Sequence, residues 1–234
     1  MKRFARTLAT SCALLFLSVP AAMQAQNRYA FSFSSGNAPV SDGNSFLTIN
    51  ASTLNTSNRG KYLSDGTTDG NTNFRTGQVA GRLDARSFFG FNLANFSTTT
   101  ITSASLTLFN CSVAICGADG FNSTNASEIF NVFDFTGSFA ALVGGTGGTA
   151  AFGDLGSGSI FGTRSISNAD NGQFVTFNFN AAGVAALMAA RGSQFAVGSA
   201  LQTEPTNVVP EPLPSALMGF GLVIIGGVVR RRRA

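Results

Sequence analysis

Seventeen consecutive uncharged, mostly apolar residues, Leu213–Val229, run directly into Arg230, Arg231, Arg232 and Arg233, with Ala234 closing the chain. Such a run does not belong to a water-facing surface. At about 1.5 Å per residue it makes roughly 26 Å of helix, close to the lower limit for crossing a bilayer core. Gly219, Gly221, Gly226 and Gly227 lower its helix propensity, but small residues are common in membrane helices and let them pack closely. Four arginines cannot cross the bilayer, so they hold the C-terminus on the cytoplasmic side. Pro210, Pro212 and Pro214 keep the approach extended, since each lacks an N–H and disfavours helix at the residue before it. The last 25 residues are thereby withdrawn from any core, and a transmembrane helix is expected over 213–229.

The other terminus is also a targeting segment. Lys2, Arg3 and Arg6 precede the apolar stretch Ala13–Val19, and Met23-Gln24-Ala25 offers a small residue for cleavage after Ala25. Cys12 stands before the apolar stretch without a Leu three residues earlier, which excludes a lipoprotein signal. The expected organisation is a signal peptide over 1–25, an ectodomain over 26–201, a linker over 202–209 and a C-terminal tail over 210–234. This division changes the meaning of the formal charge of +4. Seven of the 15 basic residues belong to the termini. The stretch between them keeps eight, with ten of the 11 acids, for a net charge of −2. The basicity serves targeting, and nucleic acid is not a partner.

The ectodomain is rich in Gly, Asn, Ser, Thr and Phe and poor in charge, which points to a folded β-protein rather than a disordered segment. Alternation over Phe31–Ser34, Ala104–Leu108 and Val175–Asn180 predicts half-buried strands. Phe46–Ile49, Arg86–Asn92, Glu128–Phe135 and Gln194–Leu201 are further strands. One helix is expected near 181–191, capped by Asn180, with Val184, Leu187 and Met188 on one face and Gly192 as its stop. Gly144–Thr149 and Gln202–Val209 read as linkers. No internal repeat is present. Many short strands with one helix make the fold class mostly β, a β-sandwich of jelly-roll type.

The chemistry available is restricted. The chain has no His, which removes the commonest general base, the Ser-His triad and most zinc sites. A glycosidase needs two opposed carboxylates. The ectodomain has only Glu128 and Glu204 as glutamates, and its aspartates sit mostly beside Gly or Asn, as turn residues do. No enzymatic activity is expected. Cys111 and Cys116 are the cysteines left after signal removal, and an even pair in an exported domain favours a disulfide. Asp65, Asp69, Asn71 and Asn73 offer the oxygen ligands a calcium ion prefers. The spacing from Asp69 starts like an EF-hand, but Phe74 stands in place of the required Gly and Ala80 in place of the bidentate Glu, so a solvated turn is the plainer reading. The 23 Phe residues are mostly core by their alternation. With no Trp and only Tyr29 and Tyr62, the chain is short of the aromatic residues with a polar handle that usually hold sugars. Thr98-Thr99-Thr100 with Thr102 is one cluster without the repeat an ice-binding array would need. The sequons at Asn95 and Asn122 are expected by chance in so Asn- and Ser-rich a chain.

Two family resemblances follow from these residues. Val209-Pro210-Glu211-Pro212, the apolar run and the clamp Arg230–Arg233, in that order at the end of the chain, resemble the PEP-CTERM tail of Gram-negative bacteria, which a membrane-embedded exosortase processes. The resemblance implies cleavage near Pro210–Pro212, passage through the inner membrane as a single-pass intermediate, and arrival at the cell surface or outside the cell. Its implied partners are signal peptidase, exosortase, the inner membrane in transit, and exopolysaccharide. The second resemblance covers roughly Phe74 to Leu201. Arg86–Leu93 followed by Ile101–Leu108 is similar to a pattern of jelly-roll surface modules of carbohydrate-binding type, with Asn92 where that pattern has Asp. The expected function is a structural or adhesive role in an exopolysaccharide or biofilm matrix. The alternatives are a weak carbohydrate-binding module and, below it, an ice-binding protein or a hydrolase with a hidden carboxylate pair.

Overall fold

The computed structural model describes residues 27–31, 45–68 and 73–202. In chain order the strands are β1 Arg28–Ala30, β2 Ser45–Ile49, β3 Ser52–Asn55, β4 Asn58–Leu63, β5 Thr76–Gln78, β6 Ala85–Asn92, β7 Ala104–Asn110, β8 Phe121–Ser123, β9 Ser127–Asp134, β10 Ile160–Ser167, β11 Gln173–Asn178 and β12 Gln194–Leu201. The helices are α1 Val113–Cys116, α2 Phe139–Val143, α3 Gly148–Asp154 and α4 Ala181–Ala189. The protein is mostly β.

The strands form two antiparallel sheets. The larger runs β10-β9-β12-β6-β5-β1-β8, with β4 also paired to β6, and the smaller runs β11-β7-β2-β3. Their facing sides enclose one core. Phe89, Phe91, Phe130, Val132 and Val197 come from the larger sheet, and Leu47, Ile49, Leu106, Leu108, Val175 and Phe177 from the smaller. Ring contacts run across the layers: Phe31 meets Phe130 edge-on at 4.8 Å, and Phe130 meets Phe177 at 4.9 Å. Within this apolar layer one polar group is tied off, since Thr76 Oγ1 lies 3.0 Å from Ser87 Oγ and 2.7 Å from Ser199 Oγ.

The larger sheet is covered on its outer face as well. Tyr62, Phe88, Leu142, Ala151, Leu155 and Ala196 form a second buried cluster beneath α2 and α3. This explains why β6 reads as a nearly unbroken apolar run: Phe89 and Phe91 face the sandwich core while Phe88 faces the helices. Strands covered on both faces lose the alternation of half-buried ones. Tyr62 ties the helices down, its hydroxyl donating to the Ala141 and Leu142 carbonyls at 3.0 and 2.9 Å and accepting from the Gly147 N–H at 3.2 Å.

Three expectations are corrected here. Gly144–Thr149 is not a linker but the turn joining α2 to α3 together with the first two residues of α3. Phe139, Leu142, Ala151 and Leu155 lie at helical spacing on either side of it, and their burial holds the turn against the sheet. The single expected helix is joined by three shorter ones, none with enough periodic residues to stand out in the sequence. Of the strand expected over Phe31–Ser34, the one described residue, Phe31, lies outside β1, which stops at Ala30. Phe31 turns into the left-handed region at φ 57° with its ring fully buried, and residues 32–44 lie outside the described residues.

The expected helix forms as α4. Asn180 Oδ1 accepts from the Gly183 N–H at 3.1 Å, and Gly192, at φ 76°, ends the segment with its N–H on the Leu93 carbonyl at 3.1 Å. Leu187 is fully buried, with Val184 and Met188 packed beside it. Among the described residues no helix is long and apolar enough to cross a membrane. The signal peptide and the helix expected over 213–229 lie outside the described residues.

Candidate functional site: an apolar groove and a charged cleft at the two ends of one strand

Strand β12 carries a cavity at each end. At its start is an open groove of about 490 Å³. One wall is the alanine face of α4, formed by Ala182, Ala186, Ala189 and Ala190. The other holds Phe135, Phe139, Phe161 and Phe195, with Asp134 and Gln194 also lining it. Two aspartates fix the chain along this wall. Asp134 accepts from the Ser159 N–H at 2.8 Å, and one Asp154 oxygen accepts from the Thr136 and Gly137 N–H groups, both at 2.9 Å. Phe161 and Phe195 lie nearly parallel at 6.3 Å between centroids. The groove is a preformed apolar trough, and Asp134 is the charged side chain among its lining residues.

At the other end of β12, Ala200 and Leu201 border a cleft of about 240 Å³ with Arg28, Gln78, Asp84 and Arg86. Glu128 lies beside it at the end of the core and is 1% exposed. Its carboxylate accepts from Arg28 Nε at 2.7 Å, Ser123 Oγ at 2.6 Å and Asn125 Nδ2 at 2.9 Å. Burial pushes the Glu128 carboxyl up, but the hydrogen bonds from Arg28, Ser123 and Asn125 outweigh it and hold the group below the usual glutamate range. The same Arg28 guanidinium donates to the Gln202 carbonyl. Arg86 donates to the Phe152 and Gly153 carbonyls at 2.8 and 3.0 Å, with its guanidinium 4.3 Å above the Phe152 ring. Burial raises the Asp84 carboxyl against the opposing pull of Arg86, and burial lowers the Arg86 guanidinium. Each cation of the cleft is therefore committed to a partner within the fold.

The same holds for most of the acids. Of the seven carboxylates among the described residues, six accept hydrogen bonds that shape their own surroundings. Besides Glu128, Asp134 and Asp154, Asp65 accepts from Thr67, Asp119 from the Val113 N–H, and Asp170 from the Ser167 N–H and Arg164. Asp84 is the seventh. A carboxylate pair serving as general acid and base needs oxygens aimed at a substrate-sized space; among the described carboxylates Asp134 alone lines the groove, and its Oδ1 is engaged by the Ser159 N–H.

Cys111 and Cys116 are joined by a disulfide that closes the turn around α1. Asp65 is exposed, and its Oδ1 accepts from both the N–H and the hydroxyl of Thr67 at 2.9 and 2.7 Å, an Asx turn. The hydroxyl bond is the main cause holding its carboxyl below the ordinary value. Asn73 belongs to the described residues, while Asp69 and Asn71, the other calcium ligands proposed from sequence, lie outside them. Among the described residues, no group of three or more His, Cys, Asp and Glu side chains is placed to hold a metal. Thr98–Thr102 form the connection before β7 rather than a strand. Asn50 takes the Thr102 N–H and hydroxyl and donates to the Thr100 carbonyl, and Arg191 donates to the Thr99 carbonyl. Ala25, Val209, Pro210, Glu211, Pro212 and Arg230–Arg233 lie outside the described residues.

Sequence reasoning did not find the Arg28–Glu128 pair, whose members are 100 residues apart, nor the groove, whose walls come from four separate segments. A signal was present for Asp154, an aspartate beside a glycine of the kind read as a turn residue, whereas Asp134 falls inside the strand expected over Glu128–Phe135. Comparison of the chain with family models, with curated proteins and with solved structures gives no match.

Proposed function

We propose that this chain is an exported, non-enzymatic surface or matrix protein, with a structural or adhesive role in an exopolysaccharide layer. The observation that carries the non-enzymatic part is the commitment of the carboxylates. Six of the seven described are bound into loops and strand ends, and the open groove at the start of β12 is lined mainly by apolar side chains. The export part rests on the sequence of the termini: a signal peptide cut after Ala25, and a PEP-CTERM tail whose Val209–Pro212 element is processed by exosortase while Arg230–Arg233 stay inside. The two-sheet body is read as a jelly roll similar to carbohydrate-binding modules.

The test is localisation. The chain, tagged on an exposed loop of its body, is expressed in a strain with exosortase and in a matched strain without it. A shortened product in the medium or matrix, ending near Pro210 and only where exosortase is present, is the expected result. Full-length protein in the inner membrane of both strains would overturn the sorting reading.

A second reading is favoured by the groove itself. Phe135 and Phe139, both part-exposed, face the alanine side of α4 above the buried Phe161 and Phe195 rings, and this apolar trough is suited to the apolar face of a sugar chain, with Asp134 and Gln194 as polar contacts. In this reading the body is a weak carbohydrate-binding module that acts through many copies at a surface. Retardation in gels containing single polysaccharides, lost on Phe139→Ser, is the expected sign. Equal mobility in every gel would remove it.

A further inference from the structure

We propose that Arg28–Phe31 is an exchangeable donor strand, and that the slot it fills between β5 and β8 accepts the same segment from a second copy of this chain. β5 and β8 are three residues each and do not pair with one another. β1 bridges them, with Arg28, Tyr29 and Ala30 opposite Gln78, Gly77 and Thr76 on one side and Ser123, Asn122 and Phe121 on the other. Withdrawing β1 leaves two facing strand edges with unpaired N–H and C=O groups, the arrangement that strand addition from another chain satisfies.

The slot is cut to fit this segment. Ala30 and Phe31 are fully buried, the Phe31 ring sitting 4.8 Å from Phe130 and 6.1 Å from Phe177. Arg28 finds the buried Glu128. At Gly77, whose φ is 103°, an added Cβ would stand 2.2 Å from the Arg28 carbonyl oxygen and 2.9 Å from Tyr29 Cα, so the bare backbone is what lets β1 lie down. The contacts are those of a peptide ligand: a cation for a carboxylate, a small residue for a narrow place, and a phenyl anchor.

The tether permits exchange. Thirteen residues, 32–44, join Phe31 to Ser45, a reach of up to roughly 43 Å when extended, enough to place the strand in a neighbouring molecule. Phe31, where strand meets tether, holds a left-handed backbone that a side chain with a Cβ disfavours. That conformation travels with the segment, and the contacts the segment makes are the same in either molecule, so exchange costs little. Each copy carries one strand and one slot, so exchange that is not reciprocal propagates into chains of molecules. In the matrix role proposed above, this is a route to polymer without a second component. The slot itself does not depend on that role.

The test uses the full chain in detergent with Cys12→Ser, Tyr29→Cys and Asn122→Cys, the last two being directly opposed positions across β1 and β8. Light and heavy-isotope preparations are mixed at rising concentration, oxidised and digested. The expected result is disulfide-linked 29–122 peptides of mixed isotope, rising with concentration, and a ladder on non-reducing gels that collapses on reduction. Linked peptides of one isotope only, at every concentration, would overturn the proposal. So would dimers whose 29–122 links are all of one isotope, since those copies meet through another face. A second measurement leaves the strand unaltered. The chain without substitutions is refolded by dilution with an excess of a fluorescent peptide of residues 26–32, which should be captured in competition with the chain's own segment, and lost when Gly77 is changed to Val. No capture by the parent chain at high excess would equally sink the idea.

Discussion

Replacing Glu128 with Gln keeps the shape of a buried side chain and removes its charge. The carboxylate accepts three hydrogen bonds, from Arg28, Ser123 and Asn125. An amide in its place presents one accepting oxygen and one donating nitrogen. With the oxygen toward Ser123 and Asn125, the amide nitrogen faces Arg28 and that bond is lost. In the opposite orientation the nitrogen faces Asn125, also a donor. Loss of one hydrogen bond to a charged group costs about 1.5–3 kcal/mol, and the two that remain fall to neutral strength. The Arg28 side chain is 29% exposed, so it regains solvent and softens the loss. The expected destabilisation is about 2–3 kcal/mol at neutral pH. Arg28→Met should cost more, about 3–5 kcal/mol, because the partner left behind is a fully buried carboxylate. Urea unfolding followed by near-ultraviolet circular dichroism measures both. With a slope of about 1–3 kcal/mol per molar urea, the Gln variant should unfold about 1–2 M earlier. The pH dependence has a definite sign. Because the folded state lowers the Glu128 carboxyl, its stabilisation is present above the unfolded-chain glutamate value and is lost as pH falls through the lower, folded value. The parent should therefore lose stability on acidification through that window, and Glu128→Gln should lose less. A Gln variant with the parent's midpoint and the parent's acid slope would refute the reasoning, showing that the pair contributes nothing net.

Four further outcomes follow from the same contacts. Tyr62→Phe, which strips the hydroxyl shared by Ala141, Leu142 and Gly147, should cost about 1–3 kcal/mol and speed amide exchange in α2 and α3 ahead of the sheets. Asn180→Ala removes the α4 cap and a donor to the Ile160 carbonyl, with an expected loss of about 1–2 kcal/mol seen as a lower thermal midpoint. Phe130→Ala, at the centre of the ring contacts, should cost about 3–5 kcal/mol in urea unfolding. Reducing the Cys111–Cys116 disulfide should cost about 2 kcal/mol or less, since so small a loop restricts the unfolded chain little. A calorimetric shift much larger than that would mean the turn it closes anchors β8.

The long strands were legible as apolar or alternating runs bounded by polar and glycine-rich segments, even where burial on both faces removes the alternation. Gln194–Leu201 matches its expectation residue for residue, and Ala104–Asn110 and Ser127–Asp134 differ from theirs only at the ends. Helix α4 was legible from its cap and from Leu187, since a nine-residue helix carries two turns of apolar spacing. The three-residue strands β1, β5 and β8 were not, because at that length alternation has no period to detect and pairing is decided by partners far along the chain. Helices α2 and α3 were hidden by the Gly/Thr turn between them, whose composition resembles a linker and whose order comes from Tyr62. At the candidate sites the residue types were readable, but their meetings were not. Arg28 reaches Glu128 across 100 positions, and nothing local in either segment announces the other.

The contact between Arg28 and the Gln202 carbonyl has a consequence for architecture. It brings the first strand of the body against the residue that follows its last strand. A domain whose entry and exit are neighbours behaves as a cassette: it can be spliced into a surface loop of another protein, or have its ends joined and reopened elsewhere, without asking either host or guest to stretch. Pulling on both ends then loads a short clasp at the strand ends before it loads the sandwich.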